Sequence, residues 1–175
     1  MSDAGLRGVR IAVLTLSDSV ARGEHTDTSG DVIARTVGDL GAEVVARDVL
    51  PDDADRISAR LRAYADDMHA DLVLTTGGSG VAPRDVTPEA TLRVVDRLVP
   101  GFAEAARTQT FAQTPLALLS RGIAGIRGRT LIVNLPGSPK GVREWLDVIL
   151  PVLGHAVELL RERSRQWGEP HDHHA

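Results

Sequence analysis

Residues 71–88 read DLVLTTGGSGVAPRDVTP. A short apolar run ends in two threonines, Thr75 and Thr76, and glycine then occupies positions 77, 78 and 80. Glycine gives up more conformational freedom on folding than any other residue. Either something approaches this backbone closely, or the chain here takes φ values that other residues avoid. The run before it reads as a buried strand, 71–76, and the glycines as the loop at its carboxyl end.

Working outward, the same alternation repeats. VRIAVLTLS (9–17) is too continuously apolar for a one-sided sheet and reads as a strand covered on both faces. A polar stretch leads from it into a helix with Val32, Ile33, Thr36, Val37 and Leu40 at helical spacing and Gly41 as its stop. AEVVARDVL (42–50) is a second strand. PDDADRISARLRAYADDMHA (51–70) is an amphipathic helix with Ile57, Leu61, Tyr64 and Met68 on one stripe and acids in its first turn. After the glycine loop, Thr87 is the expected N-cap of a helix running to Leu98, with Pro88 at its first position. PGFAEAARTQTFAQ reads as a further helix. PLALLS, IAGIRG and TLIVNLPG read as three extended pieces with a turn near Arg127–Arg129. The stretch from Pro139 to Arg163 is one long helix that Pro151 kinks. Repeated strand–helix–strand units predict a three-layer α/β/α fold with a mainly parallel central sheet.

The bulk properties fit one soluble domain over residues 1–163, with a flexible tail over 164–175. Net charge is −4 with no long basic run, which argues against nucleic-acid binding. The absence of cysteine excludes a disulfide framework, a thiolate metal site and a cysteine nucleophile. No apolar run is long enough for a membrane span and no signal-peptide pattern is visible, so a cytoplasmic protein is expected. The chain holds nineteen arginines and a single lysine, Lys140. Arginine-rich coding explains the bias, and singles out the position where lysine is kept.

In parallel α/β sheets, ligands bind outside the carboxyl ends of the strands. Four such ends carry unusual loops: LSDSVARGEHTDTSG, LPDDAD, TTGGSGVAPRD and NLPGSPKG. Thr76, Gly77, Gly78, Ser79 and Gly80 offer backbone N–H groups and hydroxyls suited to a polyanion, although a plain tight turn would look the same. This is neither a Walker A loop nor a dinucleotide fingerprint. In the second cradle, Pro136 and Pro139 stiffen the chain, Gly137 frees it, and Ser138 and Lys140 donate at the start of the last helix. Asp52 and Asp85 each sit just past a strand end. Carboxylates among phosphates call for a cation, Mg²⁺ being the usual one; the competing roles are an N-cap for Asp52 and a solvated turn for Asp85. Ser17 and Asp18 open the first loop. Ser120 and Arg121 end an apolar segment and either reach the crevice or form a surface pair. Arg22 and His25 suit a solvated loop better than a lid, and no histidine set has metal-ligand spacing.

Taken together, VLTLSDS, DTSGD, LTTGGSGVAPRDVTPEAT, PGF and LSRGIAGIRGRTLIVNLPGSPKG resemble the molybdopterin-binding domain of the molybdopterin adenylyltransferase family. That family includes Mog-type and MoaB-type proteins and the G domains of gephyrin, and the resemblance runs from about Arg10 to Leu160. It implies that the terminal phosphate of molybdopterin attacks the α-phosphate of Mg·ATP, giving adenylylated molybdopterin and pyrophosphate. It carries the family's two critical aspartates onto Asp52 and Asp85, and ligand binding onto the two cradles and Ser120-Arg121. It further implies a homotrimer, or a hexamer as in some MoaB-type members, and hand-over to a separate molybdate-inserting protein. The alternative it leaves is a MoaB-type molybdopterin-binding protein without adenylyl transfer.

Overall fold

The computed structural model describes residues 5–166. Six strands form one sheet in the order β2-β1-β3-β6-β5-β4. They are β1 (Arg10–Leu16), β2 (Glu43–Leu50), β3 (Leu72–Thr76), β4 (Arg97–Leu98), β5 (Ala124–Arg127) and β6 (Thr130–Leu135). β2, β1, β3 and β6 run parallel, while β5 and β4 are antiparallel additions at one edge. The helices are α1 (Asp18–Ala21), α2 (Thr28–Asp39), α3 (Ala54–Arg62), α4 (Thr87–Leu92), α5 (Pro100–Phe111) and α6 (Pro139–Gln166). Among the described residues, no helix is long and apolar enough to cross a membrane. α6 extends into the stretch expected to be a tail; beyond Gln166 that tail, with His171, His173 and His174, lies outside the described residues.

Alternate side chains of the central strands enter two separate cores. Ile11 and Val13 of β1, Leu72 and Leu74 of β3, and Leu131, Val133 and Leu135 of β6 pack against α2, α5 and α6. Ala12, Leu14, Val73 and Ile132 pack on the other face against Ile57, Leu61, Tyr64 and Ala90. Period-two alternation with both sets apolar is the physical content of a doubly covered sheet, and explains why these strands read as unbroken hydrophobic runs. Trp145 of α6, 2% exposed, fills the first core.

Several local expectations are corrected. The helix from residue 87 ends at Leu92, not Leu98, and Val86 rather than Thr87 stands at its N-cap position. The Thr87 hydroxyl instead donates to the Gly77 carbonyl at 2.9 Å. The backbone of Asp96 donates to the Ile126 carbonyl and its carboxylate accepts from Gly128 N, so residues 96–98 join the sheet edge. PLALLS is not extended: Pro115–Leu119 form a 3₁₀ turn. The helix expected over 51–70 ends its regular part at Arg62 and continues as a π turn, Ala63–Asp67. α6 runs through Pro151, where both Pro151 and Asp147, the residue whose carbonyl loses its helical donor, are exposed to water.

One ion pair ties the ends of the domain together. Asp71, 1% exposed, accepts two bonds from the Arg161 guanidinium at 2.6 and 3.0 Å and one from Arg10 N at 2.9 Å. Burial alone would raise this carboxyl, but Arg161 and the Arg10 amide outweigh it and hold it below the usual carboxylate value. A folded-state value below the unfolded one stabilises above the ordinary carboxylate range, and that stabilisation disappears as pH falls through the lower folded value. Asp71→Asn is therefore expected to lose about 2 kcal/mol at pH 7, less than for a fully buried pair because Arg161 is partly solvated. Urea unfolding of both proteins at pH 7 and near pH 3 checks this: the gap should narrow in acid.

Candidate active site

The strand order reverses between β1 and β3, so the chain leaves a crevice at their carboxyl ends. A cavity of about 340 Å³ opens there, walled by Thr15–Ser17, Asp27–Ser29, Asp52, Thr76–Gly78, Asp85, Gly137 and Pro139. The glycines make it possible. Gly77 has φ +94°, and a Cβ there would overlap the Leu16 carbonyl oxygen. Gly78 has φ +62°, and its Cβ would strike the Thr87 hydroxyl and stand 2.7 Å from Asp52 Oδ1. At Gly80 a Cβ would stand 2.9 Å from Asp85 Oδ2. The bare backbone thus lets β3 close against β1 and clears room for two carboxylates.

Asp52 is held at its backbone and at one oxygen only. Its Oδ2 accepts from Asp18 N at 3.3 Å, and its own N–H donates to Asp18 Oδ1 at 3.1 Å. Arg84 clamps Asp18 through two bonds of 2.6 and 2.9 Å and donates to the Asp52 carbonyl at 3.2 Å. The Asp18 carboxyl is accordingly lowered, by the Arg84 bonds first and the Asp52 amide second. Asp52 Oδ1 is buried and has no hydrogen-bond partner among the described residues. Burial pushes the Asp52 carboxyl up; the nearby Asp18 and Asp85 charges add to that, against the Asp18 N–H bond. The helix cap is a different residue: Asp53 Oδ1 accepts from Asp55 N and Arg56 N at 3.0 Å each. This removes the N-cap reading of Asp52.

Hydroxyls stitch the second cradle to the first. Thr76 Oγ1 donates to the Pro136 carbonyl at 2.6 Å, Ser29 Oγ to the Gly137 carbonyl at 2.7 Å, and Ser79 Oγ to the Leu135 carbonyl at 3.3 Å. Below them, Asn134 donates to Thr75 Oγ1 and Thr91 Oγ1 at 3.0 Å each, a buried network that fixes β3, β6 and α4 together.

Comparison with known proteins shows the family. A family model described as "Probable molybdopterin binding domain" matches residues 12–155. A Helicobacter pylori protein (strain J99) named molybdopterin adenylyltransferase is 39% identical over 94% of this chain and 94% of its own length. Among solved structures, the molybdopterin biosynthesis enzyme MoaB from Thermus thermophilus superposes with a TM-score of 0.82 at 49% identity, covering 93% of this chain and 98% of that one. The Mog protein from Mycobacterium ulcerans gives 0.82 at 38% identity, over 87% of this chain and 99% of that one. The chain belongs to the molybdopterin-binding domain family.

Within this family member the expected site residues divide. Ser17, Thr76, Gly77, Gly78, Gly137, Pro139, Asp52 and Asp85 share the crevice. Asp18 sits behind Asp52 and holds it. Ser79 is buried, and Gly80 shapes the loop around Asp85. Ser120, Pro136, Ser138 and Lys140 instead line a second cavity of about 310 Å³, with Leu116, Ala117 and Trp145 as its apolar wall. The 136–140 loop is a partition: Gly137 and Pro139 face the crevice with the other three loops, and Pro136, Ser138 and Lys140 face the second cavity. Lys140 pairs with Glu144 at 3.4 Å and keeps a 74% exposed side chain. Arg121 does not enter the crevice. It donates to the Gly80 carbonyl at 2.6 Å and the Asp85 carbonyl at 2.8 Å and pairs with Glu89, so it fixes the loop that carries Asp85. Arg22 pairs with Glu24 on the surface.

The sequence reading missed Arg84 and underrated Asp27. Asp27 caps α2 through Gly30 N, accepts from Thr15 Oγ1 at 2.8 Å, and pairs with Arg47 at 3.0 Å. The signal for it was the Asp-Thr-Ser-Gly start of a helix, an N-cap pattern. Nothing local in the sequence shows that Arg84 reaches back to Asp18, sixty-six residues earlier.

A divalent cation fits the crevice on two observations: Asp52 Oδ1 is an orphaned buried acceptor, and Asp85 lines the same cavity. Among the described residues, no group of three or more His, Cys, Asp or Glu forms a ready-made metal cage. One or two carboxylates are what a protein would supply to Mg²⁺, with water and substrate phosphates as the remaining ligands.

Proposed function

We propose that this chain is a molybdopterin adenylyltransferase. An oxygen of the molybdopterin terminal phosphate attacks the α-phosphorus of ATP. The bond from that phosphorus to the α–β bridging oxygen breaks, and its electron pair leaves with pyrophosphate. The observation that carries the reading is the half-buried Asp52 carboxylate at the crevice wall, bonded at one oxygen while the other lies buried beside Gly78 with no partner among the described residues. Mg²⁺ held there by Asp52 and Asp85 would neutralise charge on the reacting phosphates. Arg84, Asp18 and Arg121 keep the two carboxylates in place before substrate arrives, so the protein's contribution is positioning. The 136–140 partition gives each of two phosphorylated substrates a side, with reacting groups meeting over Gly77 and Gly78.

The test is pyrophosphate release from Mg·ATP by the purified protein, with and without molybdopterin. Release that depends on molybdopterin is expected. Binding of molybdopterin without release favours the carrier reading. A cytoplasmic setting and hand-over of the adenylylated product to a molybdate-inserting protein complete the proposal.

Lys140 is the proposed phosphate contact on the far side of the partition. Lys140→Ala should weaken binding of one of the two substrates, more at low salt than at high salt, because screening already reduces a wild-type point-charge attraction in high salt. Lys140→Arg should restore only part of the loss, since a planar guanidinium is not a compact ammonium. Calorimetric titration with ATP and with molybdopterin at two ionic strengths identifies which substrate responds.

For assembly we propose a homotrimer. Phe111, Leu116, Leu118 and Leu119 are exposed on α5 and the 3₁₀ turn that follows, an apolar surface suited to closed symmetry. Sedimentation equilibrium at micromolar concentration should give three times the monomer mass; a stable monomer contradicts this, and a hexamer would add a second interface.

A further inference from the structure

The crevice has a cationic annex. A groove of about 330 Å³ runs between α2 and the start of α6, walled by Thr28, Asp31, Val32, Arg35, Thr36, Pro139 and Arg143. The α2 members fall on one helical stripe, and Pro139 and Arg143 are one turn apart on α6. Thr28 and Pro139 are also walls of the Asp52–Asp85 crevice, so the two spaces adjoin. Arg35 lies about 10 Å along α2 from that junction, at 1.5 Å of rise per residue.

The charges here are unusual for this protein. Many of its arginines are engaged: Arg47, Arg60, Arg84, Arg93, Arg121 and Arg127 each hold a carboxylate. Arg35 and Arg143 make no hydrogen bond or ion pair with any described residue. The one acid in the groove, Asp31, is already neutralised by Arg47 at 2.6 Å. The annex therefore presents two uncommitted guanidinium groups, while the adjoining crevice is walled by Asp27, Asp52 and Asp85.

We propose that this groove is a polyphosphate subsite that receives the pyrophosphate group. The proposal rests on the adenylyl-transfer reading for its role, but not for its chemistry. When the bond to the α-phosphorus breaks, the bridging oxygen keeps the electron pair, and pyrophosphate leaves as a polyanion. An acid-walled crevice disfavours that group unless cations take it. Arg35 and Arg143 are cations on a wall continuous with the crevice, and guanidinium forks match phosphate oxygens.

The test is calorimetric titration of the intact protein with pyrophosphate alone. The wild type should bind it, and Arg35→Ala/Arg143→Ala should weaken binding at least about ten-fold, the scale of losing a charge-assisted contact, with an unchanged melting temperature. Arg56→Ala, an exposed arginine on α3 across the sheet, should leave binding unchanged. Equal affinity of wild type and double variant overturns the proposal, as does no binding by the wild type. Loss of binding in Lys140→Ala but not in the double variant places the anion beyond the 136–140 partition, and also overturns it. The adenylyl-transfer reading fails separately: a protein that binds pyrophosphate through these arginines yet never releases it from ATP refutes that reading and leaves the subsite standing.

Discussion

Asp52→Asn should lower turnover by at least about 10²-fold, the scale of losing one charge contact to a transferring group, while leaving the protein as stable as the wild type or more so. The two halves of this expectation come from different atoms. Asparagine can still accept the Asp18 amide bond at the position of Oδ2 and keep its own backbone bond to Asp18. What disappears is the charge on Oδ1, the buried atom without a partner among the described residues. In the folded protein this carboxyl is raised, first by burial and then by Asp18 and Asp85. A raised folded value means that the neutral form favours the fold. Its contribution is present below the unfolded value and lost as pH rises through the folded one, so at neutral pH the charge costs stability. The variant removes that cost. Asp85→Asn should show a comparable loss of turnover with molybdopterin binding retained. Melting curves from pH 4 to 8 beside rates at pH 7 check the pair of claims: an Asp52→Asn protein that is destabilised yet active would make Asp52 a structural residue.

Gly78→Val should abolish substrate binding. A side chain at φ +62° is strained wherever it points, at about 1–3 kcal/mol. Here its Cβ also meets the Thr87 hydroxyl and stands 2.7 Å from Asp52 Oδ1. Either Asp52 swings away or Thr87 gives up its bond to the Gly77 carbonyl, and in both cases the crevice closes. Because Gly78 lies outside both apolar cores, the variant should remain folded with a lower melting temperature. Calorimetry with molybdopterin and circular dichroism separate the two effects: unchanged affinity would reduce the glycine loop to a turn.

The sheet was legible because β1, β3 and β6 put apolar residues on both faces, a pattern no surface strand needs. The edge was not. Residues 93–98 carry valines and leucine at spacings that fit a helix, but a turn follows Leu92 and the pairing of Asp96–Leu98 with β5 makes only the end of this stretch extended. Pro115–Leu119 is similarly ambiguous, a short apolar run whose leucines face outward. At the site, glycine loops and flanking aspartates could be read locally, since strand ends converge in a parallel sheet. Two facts could not. The 136–140 loop has two open sides, which depends on α5 and the 3₁₀ turn packing beside it. The Arg84–Asp18–Asp52 clamp joins three loops distant in the chain, and only folding reveals that Arg84 secures a carboxylate and a carbonyl at once.

Whether AMP passes from ATP to molybdopterin on this protein decides the rest. Incubating the purified protein with molybdopterin, Mg²⁺ and ATP labelled at the α-phosphate tests it most directly. The label should appear in a molybdopterin species heavier by one adenylyl group, in amounts that match the pyrophosphate released, and should fail to appear with Asp52→Asn. Label that stays in ATP while molybdopterin binds tightly would contradict adenylyl transfer and identify the protein as a carrier.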